Sequence, residues 1–410
     1  SGLSFSLFFF LRERKRGYRR RCRKISVKNL NPTDREGKEE KMKNTFGNSI
    51  TLTLFGESHG TAIGAVIDGL CPGLPVNTEE IARLLSRRRP SGADATARRE
   101  PDDFSIVSGV RDGRATGTPL CILIPNVDRR SGDYSAMAGV ARPAHADYAA
   151  YRKYHGYEDA RGGGHFSGRL TAALVAAGGI FLPALAALGV SVGTHIKTCA
   201  GIADRGFADD PTADIASLAA ASFPVLDAES GRSMEKAILA AKGDGDSVGG
   251  VTETAVAGMP AGVGEPWFDS VESMLSHILF SLGGVKGVEF GAGFALAEMR
   301  GSEANDPFAV RDGGIVTLTN KNGGINGGIT NGMPLVFRCA VKPTPSISRE
   351  QKTVNYINKE DTVLSVPGRH DPAIVRRICP VIDAVTAAVL CDMLAARYGT
   401  DVFMRTRGEL

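Results

Sequence analysis

Residues 170–192 read LTAALVAAGGIFLPALAALGVSV and carry no charge. A helix of that composition is apolar on every side, so protein must surround most of its circumference. A membrane span needs about 20 uninterrupted apolar residues. This run is interrupted by paired glycines and Pro183, and it reads as a buried core helix. A second long apolar segment, PAIVRRICPVIDAVTAAVLCDMLAARYG, closes the chain as helix, with a break or bend expected at Pro380.

Around these helices the pattern changes period. NSITLTLF alternates and reads as a strand, and GAVIDGL, FSIVSGV, LCILIP, VTETAVAG, VEFGAGFALAEM and LVFRCAV read as further strands. VNTEEIARLLSRR is a helix with Asn77 as N-cap and Glu80 completing a capping box. HADYAAYRKYHG is a short helix, and DSVESMLSHILFSLGG is a helix with Asp269 as N-cap and Glu272 three places on. Strands and helices are mixed without regular alternation, and no GxGxxG joins a strand to a helix. The class is therefore α+β rather than a nucleotide-binding doubly wound sheet.

Charge is unevenly spread. Residues 1–41 hold 13 Lys/Arg and 5 Asp/Glu, while the whole 410-residue chain is only +4, so residues 42–410 are net acidic. The basic RERKRGYRRRCRK tract is the sole support for a nucleic-acid partner. A disordered extension outside the native core, with Met42 as first native residue, explains it equally well. The order of its apolar and basic parts is wrong for a secretory signal. The seven cysteines are scattered, without a CxxC, which suits a reducing compartment and speaks against zinc or a disulfide framework.

Three constellations carry chemistry. Four of the seven histidines stand in dense polar motifs: His59 in FGESHG, His145 in RPAHAD, His165 in RGGGHFSGR and His370 in GRHDP. Imidazole titrates near working pH, so such residues can give or take protons. His195 and His277 read as structural, and no pair has convincing spacing for a metal. Loop arginines are many although residues 42–410 are net acidic, which suggests a local anion pocket. Two glycine-rich loops, ARGGGHFSGRLT and NKNGGINGGITNGMP, offer backbone N–H groups; the first leads into a helix N-terminus.

Taken in order, FGESHG, VIDG, RRRP, RREPD, SGV, GTP, DYSA, RPAHAD, ARGGGHFSGR, MPAGVGEP, VKGVEFGAGF, GGINGGITNG, KPTPSI and GRHDP resemble the chorismate synthase family across about residues 45–395. The resemblance implies a helical layer sandwiched between antiparallel sheets, in a single domain over 42–410. It implies a lyase of the shikimate pathway and aromatic amino-acid biosynthesis. Such an enzyme eliminates phosphate and a C6 hydrogen from 5-enolpyruvylshikimate 3-phosphate (EPSP), in the anti-1,4 sense, to give chorismate. The family requires reduced FMN without net redox change. It further implies a cytoplasmic homotetramer with no membrane or nucleic-acid partner. Family members that reduce their own flavin carry extra length in the core, which this chain lacks, so an external flavin reductase or NADPH-dependent system is expected.

Carried onto this chain, the pattern makes His59, His145 and Asp371 catalytic. His59 would protonate the leaving phosphate, His145 would act beside the flavin N1/C2 region, and Asp371 would assist at flavin N5. Arg88 would bind substrate, with Arg87, Arg98 and Arg142 as further anion ligands. His165, Phe166, Ser167, Gly284, Lys342, Pro343, Thr344, Pro345, Ser346 and Arg369 would contact the cofactor. Some positions depart from the common pattern. Ala144 replaces a glycine and should demand a negative φ. His165 replaces an arginine, SLGG replaces SINA, and an arginine expected between residues 90 and 97 is missing.

Overall fold

The computed structural model describes residues 43–90, 101–127, 139–366, 371–405 and 408. Its frame is two five-stranded antiparallel sheets. The first runs in the order Thr45–Phe46, Thr51–Gly56, Ala62–Asp68, Leu120–Pro125, Ser105–Ser108. The second runs Val285–Phe290, Leu335–Val341, Gly250–Ala257, Ser191–Cys199, Ile202–Ala203. Between them lie the chargeless helix Thr171–Ala187 and the last helix Val375–Tyr398. The former packs on strands of both sheets, and the latter on strands of the second. The α+β sandwich expected from the sequence is the observed fold, and Asn44–Leu410 forms one unit.

The paired glycines of the chargeless helix explain how three helices meet. A Cβ on Gly178 would lie 2.4 Å from the Ala384 Cβ, and one on Gly179 would lie 2.7 Å from Ile81 Cγ1. Each glycine thus admits a different neighbour: the last helix on one side and Thr78–Arg88 on the other. Close backbone approach replaces side-chain volume here, which is why Ala and Gly dominate the run. Gly168–Ala187 and Val375–Tyr398 are long and apolar enough to cross a membrane, but both are buried in the core.

Several local expectations change. The last helix runs unbroken through Pro380. Pro380 lacks the N–H of one helical hydrogen bond, and it stands in the second turn, near the start of the helix. Asn77 caps Thr78–Arg88 by accepting from the N–H groups of Glu79 and Glu80, but the Glu80 carboxylate turns to Arg83 instead of closing the box. The cap of Val271–Leu279 is Ser270, whose hydroxyl accepts from Ser273 N–H; Asp269 ends the preceding 3₁₀ turn. The VEFGAGFALAEM strand stops at Phe290, because Gly291 and Gly293 take φ of 58° and the chain turns into a 3₁₀ helix.

His195 is structural, and its setting is specific. Its Nδ1–H donates to Asp204 at 2.9 Å and its Nε2–H to Glu253 at 3.1 Å, with the ring fully buried in the second sheet. Burial alone would lower the imidazole pKa, but the two carboxylates raise it above its ordinary value. The two carboxylates hold a buried imidazolium in place.

Candidate active site

FGESHG forms the connection of the hairpin Thr51–Gly56 and Ala62–Asp68. Its backbone is tied down on two sides. On one side Asn126 donates from its amide to the carbonyls of Glu57 (2.9 Å) and Gly60 (3.1 Å). On the other, the RGGGHF loop grips it. Ser58 N–H donates to Gly164 O at 3.1 Å, Ser58 Oγ to Arg161 O at 3.3 Å, and His165 Nδ1–H to Gly56 O at 2.8 Å. Ser58 and His59 are buried as a result. His165, expected at the cofactor, spends one ring nitrogen on holding the two loops together.

The three glycines of that loop have φ of 62°, 100° and 53°, a sequence of left-handed conformations that only glycine accepts at low cost. Two of them, Gly162 and Gly164, also have no room for a side chain. A Cβ on Gly162 would lie 2.4 Å from Cδ2 and Nε2 of His59. A Cβ on Gly163 would lie 3.4 Å from Cε1 and Nε2 of His145. The imidazoles of FGESHG and RPAHAD, 86 residues apart in the chain, therefore stand against consecutive residues of one bare backbone strip. Phe166, the next aromatic of the loop, is 43% exposed and meets Tyr154 edge-on.

His145 is held by its own motif. Its Nδ1 lies 2.7 Å from Asp147 Oδ1, and Arg142 forks onto the same carboxylate through Nε (2.8 Å) and Nη2 (2.6 Å). Arg142 is thus committed to Asp147. Ala144, between them, has φ of 56°, contrary to the negative value expected. The loop is pinned there: Lys342 Nζ donates to Ala144 O, and His145 N–H donates to Arg142 O. A left-handed alanine costs about 1–2 kcal/mol, and glycine would return about 0.4–1 kcal/mol through unfolded-state entropy. Ala144→Gly should therefore stabilise the protein by about 0.5–1 kcal/mol. Thermal unfolding of the two proteins side by side checks this, and an unchanged or lower midpoint would contradict it.

Lys342 connects this corner to the cofactor-type residues. Its backbone N–H donates to Gly284 O, and Gly284 has φ of 105° with Ile374 against it. Partial burial, and then the charge of Lys286, lower the Lys342 pKa below its ordinary value. In the KPTPS loop that follows, the Thr344 carbonyl accepts from Ser247, while its hydroxyl is buried without a hydrogen-bond partner among the described residues. Pro343, Pro345 and Ser346 belong to the same loop. Asp371 pairs with Arg377 at 2.8 Å, and Arg377 also donates to the carbonyl of Arg88. Arg98, Arg369 and residues 1–41 lie outside the described residues.

Arg88 is 4% exposed and faces inward. It donates to Thr171 Oγ1 (2.8 Å), Asp102 (3.4 Å) and Gly168 O (3.0 Å). Arg169 shares Asp102 and donates as well to Asn126 Oδ1 (3.0 Å) and Pro125 O (3.2 Å). A continuous lattice runs from Arg88 through Asp102, Arg169 and Asn126 to the carbonyls of FGESHG. Arg87 lies elsewhere, 3.6 Å from the buried Asp383 carboxylate and donating to Leu218 O. Asp383 is fully buried, and its pKa is pushed up to about 6 by desolvation, against the pull of Arg87. Sequence reasoning missed Asp102, Asn126 and Asp147. Two of the three stood inside quoted motifs, RREPD and RPAHAD, where the histidine and the arginines drew attention first.

An α+β scaffold that brings two imidazoles to one glycine strip, with the Lys342 ammonium bonded to the loop of one of them, is the kind of arrangement an enzyme uses to handle protons. Comparison with known proteins narrows the class. Residues 50–395 match the family model described as chorismate synthase, and the chain belongs to that family. A chorismate synthase of Thermococcus gammatolerans is 46% identical over 360 residues, covering 88% of this chain and 99% of that protein. One from Methanocella arvoryzae is 44% identical over 356 residues, covering 86% of this chain and 94% of its own length. A crystal structure of chorismate synthase superposes with a TM-score of 0.68 at 26% identity, covering 86% of this chain and 94% of that one.

Proposed function

We propose that the protein is a lyase that converts EPSP to chorismate and phosphate, with reduced FMN bound between the histidine loops and the KPTPS loop. The observation that carries the reading is the placing of His59 and His145 against Gly162 and Gly163, in a chain that matches the family over 50–395. The residues suit the cofactor. The Thr344 hydroxyl, buried without a hydrogen-bond partner among the described residues, and the partly desolvated Lys342 ammonium two residues before it are donors that suit a phosphate.

The reaction breaks the C–O bond to phosphate and the C6–H bond. The phosphate leaves with the C–O electron pair, the C6 hydrogen leaves as a proton and the C6–H pair forms the new double bond; reduced FMN would supply transient electron density for this, without net redox change. The chain's own groups manage charge. His59 donates a proton to the departing phosphate oxygen, because a buried imidazole fixed on a glycine floor is an acid that needs no reorganisation. His145 would offer Nε2 as a hydrogen-bonding group to the cofactor, and Asp371, held by Arg377, would supply a carboxylate that can accept a proton. Arg88 and Arg142 act from behind: their guanidiniums are spent on Asp102 and Asp147, and they shape the pocket rather than reach across it. Arg98 and Arg369 remain the candidates for direct anion contact.

The same reading makes the protein a cytoplasmic homotetramer served by an external, NADPH-dependent flavin reductase. An apolar groove on the edge strand Val285–Phe290, with Phe290, Leu296 and the 82% exposed Phe294, supports self-association. It also leaves residues 1–41 outside the catalytic unit. Anaerobic assay with EPSP, FMN and dithionite, and then with NADPH alone, tests the reading. The full chain and Met42–Leu410 should turn over equally with dithionite and not at all with NADPH. Absence of turnover with dithionite would refute the activity.

A further inference from the structure

We infer that Asp147 is a positioning residue that fixes the tautomer and the aim of His145, with Arg142 as its clamp. The inference deepens the reading of His145 given above and rests on it. A carboxylate only accepts, so the 2.7 Å contact to Asp147 Oδ1 requires the hydrogen on His145 Nδ1. Arg142 Nη2 stands 3.1 Å from the same nitrogen because both donors aim at one oxygen. Asp147 Oδ2 takes Arg142 Nε at 2.8 Å and the Arg142 backbone N–H at 2.9 Å. Two oxygens thus receive four donors, and neither side chain of the pair can turn without breaking one of them.

The consequence is chemical. With Nδ1 always protonated, the atom beside Gly163 is Nε2, a lone pair on the neutral ring and an N–H on the charged one. His145 can then take or release a proton only on the side of the glycine strip. Asp147 stays ionised to do this. Burial alone would raise its pKa, but hydrogen bonds and charge from Arg142 and His145 hold the carboxyl well below the usual range.

The loop does not depend on Asp147 alone. The hairpin of Gln351–Asn355 and Glu360–Leu364 straps it: Ala141 N–H donates to Val354 O (3.1 Å), Tyr356 N–H to Gly139 O (2.8 Å), and Thr353 Oγ1 to Ala141 O. Tyr356 also packs on Tyr151 of the helix Asp147–Lys153, with ring centroids 4.9 Å apart. Removing the carboxylate should therefore free the ring while leaving the backbone in place. Arg142 would then be the nearest partner of Nδ1, and because it only donates, it would drive the hydrogen to Nε2.

Nitrogen-15 spectra of histidine-labelled, cofactor-free protein at alkaline pH read this directly, with the His145 signals assigned through His145→Gln. The wild type should show the Nδ1–H tautomer. Asp147→Ala should show Nε2–H, and Asp147→Asn, which keeps a carbonyl acceptor, should retain Nδ1–H. In the dithionite assay Asp147→Ala should lower kcat about tenfold to a hundredfold with KM for EPSP little changed, and Asp147→Asn should recover part of the loss. A wild-type ring already carrying Nε2–H overturns the proposal whether or not Asp147→Ala folds, and so does an Asp147→Ala ring that keeps Nδ1–H. The underlying reading fails separately, if His145→Ala turns over at the parent rate.

Discussion

His59→Ala should lower kcat by about 10²- to 10⁴-fold, the usual worth of general acid help, while FMN still binds. The size of the effect follows from how the imidazole is held. The ring is 5% exposed and lies on Gly162 so closely that no side chain could stand there. Its loop is bonded to Asn126 on one side and to the glycine loop on the other. A leaving phosphate gains most from a donor that is already in position, because no bond must be rearranged as charge develops. Alanine removes the donor but none of the backbone bonds that shape the loop, so the flavin site proposed beside Lys342 should survive. Stopped-flow absorbance of reduced FMN with EPSP, under anaerobic conditions, separates the two readouts. Turnover at the parent rate would place the proton donor elsewhere and leave FGESHG a structural turn. Loss of flavin binding in the same variant would make His59 a cofactor residue instead.

The sandwich of layers was implied by the family resemblance; the residue pattern itself showed which elements lie inside, and for a physical reason. A chargeless helix such as Thr171–Ala187 can only sit inside, and alternating strands such as Thr51–Gly56 can only lie against it. Local endings were harder to read. Ser270 and Asp269 are both competent N-cap residues, and only the backbone path decides which one faces the orphan N–H groups. The pattern could not reveal that a 3₁₀ segment follows Phe290, since LAEM alternates as a strand would. In the site, the residues with distinctive chemistry were visible and their supports were not. His59 and His145 announced themselves because imidazole is scarce in this chain. Asp147 and Asp102 did not, because aspartate is common and its meaning depends on which donors the fold aims at it. The arginines were visible too, but not what each one faces. Arg87, Arg88 and Arg142 each lie beside a carboxylate of the protein itself, which the pattern of loop arginines could not show.

Asp102→Ala should destabilise the protein by about 3–5 kcal/mol, because removing one partner of a buried ion pair strands the other charge. The Asp102 side chain is almost fully buried and serves the buried guanidiniums of Arg88 and Arg169, with Arg89 3.7 Å away. Carbonyls of Gly168 and Pro125 satisfy some of the remaining N–H groups, but they carry no full charge. The backbone adds to the loss, since Asp102 has φ of 54°, a conformation that aspartate and asparagine tolerate better than alanine. Asp102→Asn therefore isolates the charge: it keeps the conformation and one acceptor oxygen, and it should lose less than Asp102→Ala. Activity should fall in both, through the route Arg169 to Asn126 to the carbonyls of Glu57 and Gly60, which keeps the His59 loop still. Urea unfolding of the three proteins, with turnover measured well below each midpoint, reads both effects. An Asp102→Ala protein with the parent's midpoint would mean that the two guanidiniums find other anions or reach water. The lattice would then be a consequence of the loop geometry and not its cause.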